Sequence, residues 1–230
     1  GLPIADLTSG LWVAIGILAM LSGREQTGHG GHLDFSMLDG QVSLLTLAAA
    51  RYFALGEVPA RLGTEHPGRV PSATFRCADG KFAHITASDQ HWAPLCNVLN
   101  LKFDPDLASN EARVEHREFV MQKMTDAISK IERAKLLQML DEVDVPVGPV
   151  NDVAEILSDP HVRARGLVSS FDYPGVGEFK ALGLPYRFLG WDNPVVGAPP
   201  ALGGDTERIL AEKLGYSRDK IETLKAVKAI

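Results

Sequence analysis

The sequence predicts an α/β protein with a small central lobe, at about residues 66 to 160, flanked by segments that pack elsewhere. An apolar segment from Leu11 to Leu21 is hydrophobic on all sides, which is typical of a buried helix. Two short runs of strand-forming residues around the turn 78–80 predict a hairpin. Stretches rich in proline and glycine, 56–71 and 191–204, predict a linker on each side of the lobe.

The first predicted helix begins with Thr8 or Ser9 as the N-cap residue and ends at Gly23. Its apolar segment is shorter than the ~20 residues that span a bilayer, so no membrane contact is expected. Asp6 stands just ahead of this helix, beside its free N–H groups, where an anion is favoured. The spacing leaves two interpretations open for Asp6, a residue that supports the helix cap or a functional carboxylate.

A glycine-rich loop with His29 and His32 follows the first helix. No carboxylate or third histidine lies at ligand spacing from these two, so we expect no metal site. The alternation of apolar and polar residues over 33–37 predicts a short strand. A second long helix is expected from Asp39 to about Leu55, ended by Gly56.

The predicted lobe starts with a hairpin whose strands are Ser72 to Cys77 and Lys81 to Ala87. Three helices are expected after it, at 91–100, at 111–130 and at 131–142. The charged faces of the last two are interpreted as solvated surfaces.

The remaining third of the chain predicts short elements. An extended, proline-punctuated piece at 143–151 precedes two short helices, and a hairpin with a Pro174-Gly175 turn is expected within 167–190. Asp205 or Thr206 caps one late helix and Ser217 caps the last.

Composition excludes several classes of protein. Hydrophobic residues make up 45% of the 230 residues and charged residues 23%, as in soluble proteins with a real core. The net charge of −6 argues against nucleic acid as a partner. Cys77 and Cys96 fit no zinc pattern, and no basic leader precedes the apolar segment, so a reduced, cytoplasmic protein is expected. The sequence contains neither a P-loop nor a dinucleotide-binding glycine motif.

Five stretches, in this order and spacing, carry a family resemblance: IADLTSGLWVAIGILAML, REQTGHGGHLDFSMLDGQV, GEVPARLGTEHPGRVPSATFRCADG, DVPVGPVNDVAEILSDPHVRARG and PPALGGDTERIL. The chain resembles the family III CoA-transferases, the CaiB/BaiF group that includes formyl-CoA transferase and carnitine CoA-transferase. The match is to the C-terminal portion of the family chain. It implies a fold of interlocked homodimers. It also implies that the first part of a nucleotide-fold domain is absent from this sequence.

The resemblance also implies an order of domains. A segment of the large domain, 1–55, carries the buried helix and is followed by the linker 56–71. The small domain covers 72–160, a return segment with the second linker covers 161–204, and C-terminal helices cover 205–230.

The resemblance implies that Asp6 is the catalytic nucleophile. In this family the aspartate attacks an acyl-CoA thioester, and the intermediates are an aspartyl anhydride and an aspartyl-CoA thioester. Coenzyme A is therefore part of the substrate, no other cofactor is needed, and the partners are an acyl-CoA and a small carboxylic acid. Because the family places most CoA contacts on the part that is absent here, we expect the isolated 230 residues to transfer little or no CoA.

Three further residues are implied to bind substrate. The family's loop that closes over the intermediate corresponds to a stretch near His66 and Gly68. Formyl-CoA transferase has a run of glycines there, so the single glycine argues against formyl-CoA and oxalate as the substrate pair. Asp89 falls near the place where racemase relatives carry a catalytic glutamate, although its position favours an N-cap for the following helix.

Two other functions remain as alternatives to CoA transfer. A CoA-dependent racemase or isomerase would use Asp6 to move a proton at the α-carbon, on the same fold. Gly148-Pro149 resembles the transferase version of its segment, which favours transfer. The third possibility is a non-catalytic chain that only assembles with a partner.

Overall fold

The computed structural model of the chain describes residues 1–173, 175–192 and 197–230. Within them the chain divides into two units, residues 1–68 and 69–230, and each is described by itself. The division falls inside the proline- and glycine-rich stretch 56–71, where the structure has neither helix nor strand. The finer domain boundaries given above stay predictions.

The first helix is longer than its apolar segment. Helix α1 spans Ile4–Thr27 and ends at Gly28, which adopts the left-handed conformation with φ 74°. The predicted end at Gly23 is wrong because the residues that follow it are good helix formers and continue the helix. The predicted caps are also wrong: Thr8 and Ser9 lie inside α1, and their hydroxyls donate to main-chain carbonyls one turn earlier.

Helix α1 is apolar but not buried in this chain. None of its 24 residues, all of which the structure describes, is buried, and Leu11 keeps 65% of its accessible surface. The expectation of a buried helix is therefore wrong for this chain. The expectation that this helix is too short to span a bilayer is also wrong, because α1 is long and apolar enough to cross a membrane. A single helix of this kind is weak evidence for a membrane, since core helices and signal sequences share these properties.

The chain returns along α1 as a loop rather than as the predicted strand. Residues 28–36 contain no strand, and Leu33 lies against Gly16, where a β-carbon would be 2.8 Å from its methyl carbon. The alternation over 33–37 therefore reflects an extended segment that packs on a helix without a partner strand. Ser36 caps α2, Met37–Ser43, by accepting a hydrogen bond from the Asp39 N–H.

The predicted long second helix is broken in two. Helix α2 ends at Ser43, a turn follows at 44–45, and α3 spans Thr46–Leu55. The end of α3 at Gly56 is confirmed, with φ 69° and the Gly56 N–H donating to the Tyr52 carbonyl.

The second unit is built on a three-stranded antiparallel sheet in the order β1-β2-β3. The predicted hairpin is confirmed as β1, Ser72–Arg76, and β2, Phe82–Thr86, with Thr74 opposite His84. The third strand, β3, Val147–Val150, was predicted only as an extended piece. It forms an edge of this sheet, where a proline such as Pro149 is tolerated.

Helices cover one face of this sheet. They are α4, Asp89–Val98; a short 3-10 helix, Pro105–Leu107; α5, Asn110–Glu115; α6, Arg117–Ile128; and α7, Arg133–Asp141. The predicted helix over 111–130 is thus divided at His116. Alternate strand residues Ala73, Phe75, Ala83 and Ile85 are buried in one core with apolar residues of the helices.

Shorter elements complete the described chain. They are α8, Val153–Ser158; α9, Pro160–Ala164; β4, Val168–Tyr173; β5, Gly177–Leu182; α10, Thr206–Glu212; and α11, Arg218–Ala226. The predicted second hairpin is confirmed as β4 and β5, with Phe171 opposite Phe179. Of its expected turn, Pro174 lies outside the described residues, as do residues 193–196 of the second predicted linker. Ser217 caps α11 as predicted.

Glu155 connects α8 to the rest of the second unit. Its Oε1 atom accepts from Lys81 Nζ at 2.7 Å and from Arg133 Nη2 at 2.8 Å. Its Oε2 atom accepts from the Asp152 N–H, in a reciprocal capping box at the start of α8. The Lys81 and Arg133 hydrogen bonds stabilise the carboxylate and lower the pKa of Glu155 from 4.5 to about 2.

This lowered pKa predicts how acid affects stability. A carboxyl whose pKa is lower in the folded state stabilises the fold above the unfolded pKa, and this contribution disappears as the pH falls through the folded pKa. We therefore expect wild-type protein to be more stable than Glu155→Gln near neutral pH, and the difference to shrink as the pH falls from about 5 towards 2.

The measurement is urea unfolding of both proteins at a series of pH values. Glu118→Gln is the matched control, because Glu118 is exposed on α6 and has no ion pair among the described residues. A stability difference for Glu155→Gln that stays constant across this pH range would contradict the prediction.

Candidate functional site

Asp6 lies in the first turn of α1 and is exposed. The N-cap residue is Pro3 and no side chain accepts a capping hydrogen bond, so Asp6 supports the helix start only through its charge in the first turn. Among the described residues, the N–H groups of Ala5 and Asp6 also have no acceptor. The carboxylate and two free N–H donors therefore share one helix start, which favours negative charge.

The returning chain sets the surroundings of this helix start. Gln41, on α2, donates from Nε2 to the Thr8 hydroxyl at 2.9 Å, which fixes α2 beside the second turn of α1. Gly40 is buried there, with the rings of Phe35 and Trp12 within 3.6 Å of where its β-carbon would be. A larger residue at position 40 would displace the Phe35 ring, whose nearest carbon is 2.8 Å from that position. The sequence analysis did not select Gln41, since a lone glutamine on a helix carries no recognisable signal.

His66 and Gly68 form a local turn at the end of the first unit. The Gly68 N–H donates to His66 Nδ1 at 3.1 Å, and both residues are exposed. Their neighbours Glu65 and Pro67 line a cavity of about 530 Å³ together with residues of α3. The imidazole therefore holds the turn in shape, and the implied role of His66 and Gly68 in substrate binding stays a prediction.

Asp89 is the first residue of α4, and Ser88 is its N-cap residue. The N-cap interpretation of Asp89 is therefore wrong. Its Oδ1 atom accepts from Arg113 Nη2 at 2.7 Å, while 59% of its side chain stays exposed. The carboxylate thus pairs with a buried cation on one side and meets solvent on the other.

Arg113 is fully buried, and its guanidinium donates to three main-chain carbonyls as well as to Asp89. Its Nε atom donates to Val70 at 2.7 Å, and its Nη1 atom donates to Leu107 at 2.9 Å and Ala108 at 2.7 Å. The guanidinium carbon also lies 5.1 Å from the centre of the Trp92 ring. The interpretation of all charges in 111–130 as solvated is therefore wrong for Arg113.

The candidate residues are divided between the two units. Asp6, His66 and Gly68 belong to the first unit and Asp89 to the second. Over residues 1–173, 175–192 and 197–230, no group of three or more histidine, cysteine, aspartate or glutamate side chains could hold a metal ion. Cys77 and Cys96 are both buried and unpaired, and burial raises the pKa of Cys96 to about 11, so this thiol stays protonated.

Comparison with known proteins defines the class to which this arrangement belongs. The sequence profile described as CoA-transferase family III matches residues 1–206. The chain belongs to this family.

Several relatives in this family have named activities or solved structures. The chain is 31% identical to succinyl-CoA:glutarate CoA-transferase of Mus musculus, over 97% of this chain and 52% of the relative. It is 32% identical to acetyl-CoA:oxalate CoA-transferase of Acetobacter aceti, over 84% of this chain and 49% of the relative. It also resembles the crystal structure of a CaiB/BaiF family protein from Brucella suis, with a TM-score of 0.77 and 32% identity over 92% of this chain and 56% of that one. The chain thus spans about half the length of the curated relatives it matches.

The burial of Arg113 predicts a large loss of stability when its donors are removed. Arg113→Met leaves the carbonyls of Val70 and Leu107 buried without donors and removes the donor to Ala108, so we expect a loss of about 3–5 kcal/mol in the free energy of unfolding. Asp89→Asn should cost only about 1 kcal/mol, because the carboxylate is largely solvated.

Denaturant unfolding of both variants and of the double variant measures the two losses in the free energy of unfolding. The double variant also gives the coupling energy between the two side chains. Arg163→Met is the control, because Arg163 is exposed on α9. Equal losses for Arg113→Met and Arg163→Met would show that the guanidinium does not hold these elements together.

Proposed function

We propose that the protein containing this chain transfers CoA from an acyl-CoA to a carboxylic acid, with Asp6 as the nucleophile. The observation that supports this most is the pairing of an exposed carboxylate with two unsatisfied N–H groups at the start of α1. Tetrahedral intermediates of acyl transfer need such donors, and the loss of one costs about 3 kcal/mol in other acyl-transfer enzymes. Family membership and relatives named as CoA-transferases give independent support.

In the proposed reaction, the Asp6 carboxylate attacks the thioester carbonyl and releases CoA as the thiolate, which leaves a mixed anhydride. The thiolate attacks the aspartyl carbonyl, releases the donor acid and leaves an aspartyl-CoA thioester. The acceptor carboxylate then attacks this thioester and forms a second anhydride with release of the thiolate. Attack of the thiolate on the new acyl group gives the product acyl-CoA and restores Asp6. No oxidant, metal or further cofactor is needed in this sequence, and CoA enters as part of the substrate.

We further propose a dicarboxylic acid as acceptor. Glutarate and oxalate are named for the mouse and Acetobacter relatives, and mesaconate is named for a relative from Haloarcula hispanica that is 32% identical to this chain. Oxalate therefore stays among the acceptors to be tested, despite the single glycine near His66. We propose that His66, Gly68 and Asp89 contact the substrate; substitution of each, followed by measurement of the acceptor KM, tests this.

The racemase alternative is separated from transfer by two measurements on the same preparation. Transfer moves CoA to an added carboxylic acid, whereas a racemase exchanges the α-proton of the acyl-CoA for deuterium without needing an acceptor. The non-catalytic alternative predicts neither reaction. The two buried, unpaired cysteines support the proposal of a reduced, cytoplasmic protein, which fractionation of cells tests.

The role of Asp6 predicts the behaviour of Asp6→Asn. An amide cannot form the anhydride, so we expect transfer by the full-length gene product to fall by about a thousandfold or more, with the fold unchanged. Incubation with acyl-CoA should also leave wild-type protein, but not the variant, with covalently bound CoA in the intact mass.

Asp39→Asn is the matched control for this experiment, because Asp39 is likewise an exposed aspartate in the first turn of a helix. Activity of Asp6→Asn within about tenfold of wild type would exclude Asp6 as the nucleophile.

We also propose that the protein is a homodimer. Helix α1 presents large apolar side chains from Ile4 to Leu21 without burying any of them, and such surface is normally covered in an assembled protein. Sedimentation of the full-length gene product should give a dimer that persists on dilution. A monomer over a wide range of concentration would contradict this proposal.

A further inference from the structure

A cavity of about 520 Å³ lies in the second unit, between α4, α6 and the loop that joins α4 to the 3-10 helix. Its volume is in the range that holds small-molecule ligands. Phe103 and Phe119 provide apolar walls, and Trp92 is a further lining residue. None of these residues takes part in the reaction proposed above.

Trp92 carries a buried donor that has no acceptor. The side chain is 5% exposed, and among the described residues its Nε1 atom is the one buried side-chain nitrogen or oxygen without a hydrogen-bond partner. Buried indole N–H groups usually find an acceptor, and an orphaned one indicates a missing water or ligand. Arg113 lies over the ring of the same indole, so the lining residue is held in place by the core.

The charges at the cavity favour an anion. Lys102 and Lys123 are lining residues, both are exposed, and neither has an ion pair among the residues that the structure describes. Lys123 Nζ lies 5.5 Å from the centre of the Phe119 ring, so a cation stands directly beside an apolar wall. The single lining carboxylate, Asp104, accepts the Asp106 N–H at 3.0 Å. Two cations thus face one engaged carboxylate, in a chain whose net charge is −6.

We infer that this cavity is a binding site for an amphipathic monocarboxylate, whose hydrocarbon part packs on the aromatic walls while its carboxylate is held by Lys102 and Lys123. Apolar walls with a few polar groups at defined places are the usual composition of a small-molecule site. A carboxylate beside lysines forms charge-assisted hydrogen bonds.

The test uses the full-length gene product without acyl-CoA. Octanoate is titrated by calorimetry, with 1-octanol and octylammonium as probes that have the same chain but no charge or the opposite charge. We expect octanoate to bind at least about tenfold more tightly than octanol, and its affinity to fall at high salt. Octanol that binds as tightly as octanoate, or octanoate that does not bind at millimolar concentration, would overturn the inference.

Variants locate the binding. The double variant Lys102→Gln/Lys123→Gln should weaken octanoate binding by about tenfold and leave octanol unchanged, whereas Lys130→Gln, at an exposed lysine outside the cavity, should change neither. In protein with ¹⁵N-labelled tryptophan, octanoate should shift the indole resonance that is missing from Trp92→Phe, and not those of Trp12 and Trp191. Unchanged affinity in the lysine variant, or a shift confined to other tryptophans, would place the binding elsewhere.

The same titration on Asp6→Asn separates this inference from the proposed function. Octanoate should bind this variant as it binds wild-type protein, even though CoA transfer is lost. Loss of octanoate binding in Asp6→Asn would show that the bound carboxylate occupies the reaction site instead, and would overturn the inference.

Discussion

The buried guanidinium of Arg113 is the interaction on which the second unit depends. Its donors reach the carbonyl of Val70 two residues before β1, the carbonyls of Leu107 and Ala108 at the end of the 3-10 helix, and the carboxylate of Asp89 at the start of α4. These segments have no regular hydrogen-bonding ladder between them, so their buried carbonyls need a donor from elsewhere. One side chain with a fork of fixed geometry supplies it. Arg113 therefore fixes the relative positions of the sheet, the start of α4 and the cavity wall at Trp92.

The first unit depends on a different constraint, the close approach of a returning loop to α1. Gly16 and Gly40 provide the space, because a β-carbon at either position would lie within 3 Å of a side-chain carbon of Leu33 or Phe35. The approach brings Gln41 to Thr8, beside the turn that carries Asp6. Packing thus places the Gln41 side chain near an exposed carboxylate and two unpaired N–H groups, without any motif of catalytic residues.

Patterns within the sequence predicted most helices and both hairpins, and they failed where a distant contact decided the outcome. The alternation at 33–37 is the same for a strand and for an extended loop that packs on a helix, and only the absence of a partner strand separates them. Residues 147–150 became a strand because the edge of β2 was available to them. Arg113 could not be recognised, because the burial of a charge depends on carbonyls that lie up to 43 residues away in the chain.

By itself, the sequence determined the family and the identity of Asp6 as the candidate nucleophile, because both depend on the order of residues along the chain. It also determined Gly56 as the end of α3, since a helix end at a left-handed residue is a local property. Only the tertiary structure decided that Asp89 pairs with Arg113, that Asp6 lies inside the first turn of α1 rather than before it, and that Trp92 holds an unsatisfied donor beside two lysines. The Asp89–Arg113 pair and the buried indole depend on burial and on partners distant in sequence, which local propensity does not record.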